Sequence, residues 1–229
     1  MNDNPLPPNR RMPDQEWFRH TSWSADDRRE FHARLDRCRS SANKAQYARI
    51  QASHILSSPS GSPSENAKSA IELLDMVINL WPTESELASA NLQYAECLLI
   101  LGKKDGAIER LRTTFELQRR FKKFRTKAHL TFGYLSAIEP LPHLYDEAIG
   151  ALDEFKSIVL LPNDIFIDSS VRALIYEARG KHAQARMNAE AALNTVVMTR
   201  SGIAQHPSAG IVDPSRYPDL IKRLESIAH

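Results

Sequence analysis

Two stretches of this chain repeat one pattern of small and turn-forming residues, and that pattern restricts the fold more than any other feature. Ala173, Tyr176, Gly180, Ala185, Ala189 and Ala192 are separated by three, four, five, four and three residues, and Ala95, Leu98, Gly102, Ala107, Leu111 and Thr114 repeat the same separations. Steps of three and four keep side chains on one face of an α-helix. A glycine between two such helices supplies the turn, and small residues on both let the backbones approach closely. The spacing predicts helical hairpins. Aligned alanines carry it along the chain: Ala70 to Ala107 is 37 residues, Ala107 to Ala148 is 41, and Ala148 to Ala185 is 37. Units repeated at such a period cannot bury their apolar faces alone and must stack on neighbours.

The predicted fold class is all-α. Residues 1–16, with Pro5, Pro7, Pro8 and Pro13, read as a disordered Pro-rich arm that offers little to bury. Residues 17–42 read as an N-terminal capping helix: Ser24 is its N-cap, Asp26 and Asp27 sit at the positive end, and Phe31, Leu35 and Cys38 share one stripe. Trp17, Phe18 and Trp23 are expected to pack where the arm enters it. Four hairpins follow, pairing 43–56 with 64–80, 84–101 with 105–121, 124–138 with 143–159, and 164–180 with 181–198, with Asp105 as an expected N-cap. Residues 199–229 read as a Gly- and Pro-containing loop and a short helix whose Leu220, Ile221, Leu224 and Ile227 would cap the apolar end.

These positions resemble the tetratricopeptide repeat, which places small residues on both helices, an aromatic late in the first and a Pro after the second; Tyr176 and Pro82 match it. The units here are longer than the family's period of about 34 residues, and Asn91 and Ser169 stand where an aromatic is expected. The resemblance implies a right-handed superhelical array (an α-solenoid) of about four antiparallel hairpins over residues 43–198. It also implies a non-catalytic module that binds a protein or peptide on a concave face lined by the first helices. In that register Gln46, Arg49 and Ser53, then Gln93 and Glu96, then Lys127, Thr131 and Tyr134 line the face, flanked by Arg172. Each is equally readable as a solvated polar position, because a shift of one residue turns a helix by about 100°. An adaptor, a regulatory subunit or a stoichiometric inhibitor such as the immunity partner of a toxin would all use such a surface.

An alternative comes from charge. Arg119, Arg120, Lys122, Lys123, Arg125 and Lys127 place six cations in nine residues, interleaved with Phe121 and Phe124. This basic patch could meet a nucleic-acid backbone or an anionic surface, although cations at a helix C-terminus also serve the helix dipole. A net charge of +2 does not by itself imply a polyanionic partner. Arg28, Arg29, Arg34, Arg37 and Arg39 alternate with acids and read as a solvated face.

Chemistry has less to stand on. The sequence holds no Gly-rich phosphate loop, HExxH pair, GxSxG elbow or CxxC pair, so no catalytic residue, metal or cofactor is assigned. An enzyme would need His129 or His143 to meet a carboxylate in a pocket, and Asp146 and Glu147 beside His143 read more simply as first-turn charges. No signal peptide or transmembrane segment is expected, since the apolar run 97–101 is too short to span a bilayer. Cys38 and Cys97, both inside helical patterns, fit a reducing, cytoplasmic setting.

Overall fold

The first three helices begin where a serine offers its hydroxyl to an unpaired backbone N–H. The computed structural model describes residues 16–158 and 161–229. In it the Ser24 hydroxyl accepts from the Asp27 amide while the Asp27 carboxylate accepts from the Ser24 amide at 2.8 Å. Ser62 and Glu65 build the same reciprocal box ahead of Pro63, a residue whose missing N–H costs nothing in the first turn. Ten α-helices result among the described residues: α1 (Ala25–Arg37), α2 (Ser41–Leu56), α3 (Pro63–Asn79), α4 (Glu84–Ile100), α5 (Lys104–Arg120), α6 (Ala128–Ile138), α7 (Tyr145–Glu154), α8 (Pro162–Ala178), α9 (His182–Val196) and α10 (Pro218–Ala228). No strand occurs among the same residues, and the protein is all-α.

Three expected boundaries differ. Asp105 is not an N-cap: Lys103 takes that position without a side-chain bond, and Asp105 lies in the first turn of α5, where its charge still meets the helix dipole. Helix α6 starts at Ala128 rather than at residue 124, because residues 121–127 turn, with the Phe124 amide bonded to the Phe121 carbonyl at 3.0 Å. Helix α7 is flanked by 3-10 turns at Pro142–Leu144 and Lys156–Ile158 and ends at Glu154, where the wholly buried Phe155 draws the chain into the core. Residue 159, the expected end of that helix, lies outside the described residues, as does the arm up to residue 15.

The chain divides into two units, Met1–Phe124 and Arg125–His229. In the first, α2 packs with α3 and α4 with α5, while α3 and α2 both pack against α4. In the second, α6 packs with α7 and α8, α8 with α9, and α10 lies against α9 and α8. Ala95 and Ala107, and Ala173 and Ala185, are fully buried in their hairpins. The glycine turns between them match: Gly102 has φ +71 and Gly180 φ +68. In each, the next amide reaches back to close the helix end, Lys103 to the Leu98 carbonyl at 2.8 Å and Lys181 to the Tyr176 carbonyl at 2.9 Å.

Each unit also carries a closing segment. Trp17 packs on Phe18, Phe31 and Tyr47 with ring centroids 5.6, 5.3 and 5.1 Å away. Beneath them Gln51, fully buried on α2, exchanges two hydrogen bonds with the His20 backbone: its carbonyl accepts at 3.0 Å and its amide donates at 2.7 Å. This segment covers the Tyr47 and Gln51 side of α2 and leaves Gln46 exposed. In the second unit Leu220 and Leu224 of α10 are buried, and Arg186 of α9 donates to the His229 carbonyl at 2.7 Å. Replacing Gln51→Leu removes both hydrogen bonds that its side chain makes to the His20 N–H and C=O. We expect a loss of about 2 kcal/mol in urea unfolding followed by tryptophan fluorescence, with Trp17 reporting the detachment.

Candidate functional site

Of the residues expected to form a binding face, those in the first unit lie on α2 and α4. Gln46 is exposed on α2. Arg49, on the same helix, bonds through its Nε to Glu86 in the first turn of α4, so the two first helices of successive hairpins are joined by an ion pair that is largely shielded from water. Ser53 is half-buried. Further along α4, Gln93 is half-buried, and its Oε1 is shut away from solvent with no hydrogen-bond donor among the described residues. One turn on, burial pushes the Glu96 carboxyl above the ordinary carboxylate range. Asn91 points elsewhere: it is buried, donates to the Leu87 carbonyl and accepts from Arg110 at 3.0 Å.

The second unit uses its expected binding residues internally. Lys127 ends at the N-terminus of α8, its Nζ 2.7 Å from Asp164 Oδ2, and that carboxylate also accepts from the Leu161 amide. Arg172 is gripped by Asp168 at 2.9 Å and by Asp153 of α7 at 2.8 Å. Burial alone would lower the Arg172 pKa, but these two carboxylates outweigh it and raise it. Thr131 is half-buried. Tyr134 lies against Tyr217, which also packs on the fully buried Phe166 at 5.1 Å. The loop leading to α10 therefore folds back on α6 and α8, with Val212 buried and the Gly210 carbonyl accepting from Asn163 at 2.7 Å. Sequence reading missed this cover. Its signal was the adjacent pair Ile211 and Val212 with Tyr217 in a loop otherwise rich in Ser, Gly and Pro.

The basic run ends one unit and opens the next. Arg119 and Arg120 occupy the last turn of α5, and Lys122, Lys123 and Arg125 follow it, all five exposed. Arg120 lies over the Phe121 ring at 4.9 Å.

The two histidines named for chemistry part company. His143 is exposed in the turn before α7. His129 is wholly buried on α6 beside Phe155, and neither ring nitrogen has a hydrogen-bond partner among the described residues. Burial, aided by Lys127 and Arg172 and opposed by Asp164, takes its pKa from 6.5 down to about 4. A substrate cannot reach a side chain sealed in this way. Among the described residues no three metal-ligating side chains converge, and no helix is long and apolar enough to cross a membrane. A cleft of about 520 Å³ opens between the α8–α9 turn and α10, lined by Glu177, His182, Ala183, Arg186, Ser226 and Ile227.

Set against protein-family models, curated proteins and solved structures, the chain matches none. The tetratricopeptide resemblance rests on the spacing of this chain's own residues.

The buried histidine gives a measurable pH signature. The unfolded chain takes up this proton near 6.5 and the folded chain only near 4, so the contribution of His129 to stability is intact above 6.5 and is lost as pH falls through about 4. The full loss amounts to about 3 kcal/mol. His129→Leu should flatten the fall in unfolding free energy over that window, read by urea unfolding at a series of pH values, and should stabilise the protein at neutral pH by removing two unpaired polar atoms.

Proposed function

We propose that this chain is a non-catalytic protein-interaction module, built as a tetratricopeptide-like right-handed array of hairpins and working in the cytoplasm as an adaptor, a regulatory subunit or a stoichiometric inhibitor of the toxin-immunity type. Its partner is a protein or peptide. One observation carries the reading: Gln46 is exposed on α2, and on α4 Gln93 and Glu96 are half-buried outside the apolar cluster, with the Gln93 Oε1 unpaired among the described residues. Buried polar atoms are normally satisfied within a protein, and a surface that leaves them waiting is suited to a partner that completes them. Lys127, Tyr134 and Arg172 serve the second unit's own packing, so the binding face is drawn on α2 and α4. The sealing of His129 also favours binding over catalysis.

The five exposed cations at 119–125 support a second reading, contact with a nucleic-acid backbone, which would lose affinity steeply with salt. The two separate in an affinity purification from native extract, with the intact chain as bait beside a variant in which Arg119, Arg120, Lys122 and Lys123 are each changed to Ser. We expect a discrete protein retained by both baits through moderate salt. Retention of nucleic acid or of many acidic proteins, lost together at low salt and absent from the variant, would move the function to the basic run.

A further inference from the structure

We infer that the side of α2 carrying Tyr47 and Gln51 is a docking seat for an extended peptide with two adjacent aromatic residues. Residues 17–23 of this chain occupy it as an internal ligand, which a partner's peptide of the same kind displaces. The seat lies apart from Gln46 and from the half-buried residues of α4, so it stands independently of the reading of that face.

The segment is held as a bound peptide is held, through its main chain. The fully buried Gln51 accepts from the His20 amide and donates to the His20 carbonyl. The Ser58 hydroxyl donates to the Thr21 carbonyl, and Arg28 Nε of α1 donates to the Trp23 carbonyl at 3.4 Å. Every peptide carries the same main chain, so such contacts accept varied side chains at the positions they grip. Arg19, Thr21 and Ser22 are accordingly exposed. Selectivity comes from the two rings: Phe18 stacks on Tyr47 with centroids 4.5 Å apart, and Trp17 lies between Tyr47 and Phe31.

The same segment is built to leave. Helix α1 carries its own capping box at Ser24 and Asp27, so its first turn closes without residues 17–23. The ion pair of Arg19 is with Glu16, inside the segment rather than across to the helices. Occupancy also has a cost: the Trp23 Nε1 is shut away from water with no acceptor among the described residues, and release of the segment returns it to solvent. Against this stands the tether, which presents the segment at an effective concentration of about millimolar, so a displacing partner must bind tightly or through a second contact.

The test uses the full chain and a fluorescein-labelled peptide of residues 16–23, read by fluorescence anisotropy. In the chain carrying Trp17→Ala and Phe18→Ala the internal ligand is weakened, and we expect it to bind the peptide at least tenfold more tightly than the parent does. Adding Gln51→Leu to that chain should weaken binding about tenfold, as two lost hydrogen bonds allow. A peptide with alanine at positions 17 and 18 should not bind, whereas one with alanine at positions 19, 20 and 21 should bind within a few-fold of the original. Equal binding by parent and substituted chain, no binding by a substituted chain that keeps its helical circular dichroism, or loss of binding on alanine at 19–21 overturns the seat. A parent that runs as a dimer and becomes a monomer on the double substitution would give the seat to a second copy, overturning the partner reading. Hydrogen exchange on the parent decides without any variant: the His20 amide should be protected at least tenfold less than the Ala52 amide within α2, because the segment opens on its own. Equal protection of the two would make the segment part of the core and overturn the proposal.

Discussion

The complete burial of small side chains along the helices is the constraint on which the rest of this structure depends. Ala45, Ala48, Ala67, Ala70, Ala90, Ala95 and Ala107 in the first unit, and Ala148, Ala173, Ala185, Ala189 and Ala192 in the second, are all fully shielded from solvent. Side chains of one carbon at the crossings bring helix backbones together without strained rotamers, and dense packing of short side chains replaces the bulk that leucines would supply. At Gly133 even a methyl would be crowded, since an added Cβ would stand 3.1 Å from Val171 Cγ1 where α6 meets α8. That spacing fixes which longer side chains can reach one another. Arg49 spans from α2 to Glu86 on α4, and Arg172 reaches from α8 to Asp153 on α7.

Against that frame the buried polar groups fall into two kinds. Gln51, Asn91, Asp164 and Arg172 each have partners within their own unit, and they hold a segment or helix end in place. Gln93 and His129 have polar atoms that are shut in and unpaired, and Glu96 is desolvated. These differ again by access. His129 is sealed beside Phe155, while Gln93 and Glu96 are half-buried on α4.

The two closing segments show how terminal sequence is used once the hairpins are formed. Both cover aromatic side chains of the helices: Trp17, Phe18 and Trp23 settle around Phe31 and Tyr47, and Tyr217 settles against Phe166 and Tyr134. The first leaves the polar stripe of its unit uncovered. The second takes up Tyr134, a residue expected to line a groove, through Tyr217, while Lys127 is held by Asp164 of α8.

What the sequence determined by itself is local. Ser24, Ser62 and Pro63 set helix starts, Gly102 and Gly180 set helix ends, and alanines three and four apart mark buried faces, because capping, turn conformation and helical periodicity act between residues close in the chain. Asp105, residues 121–127 and the short α7 escaped that reading, since a glycine turn, a loop and the burial of Phe155 overrode the propensities there. The stripe on α4 was legible as a position but not as chemistry. Whether Gln93 or Glu96 has a partner depends on what arrives from residues far along the chain, as Arg49 of α2 arrives at Glu86. Only the tertiary structure decides that, because hydrogen-bond satisfaction and desolvation are properties of the packed neighbourhood and not of the residue that suffers them.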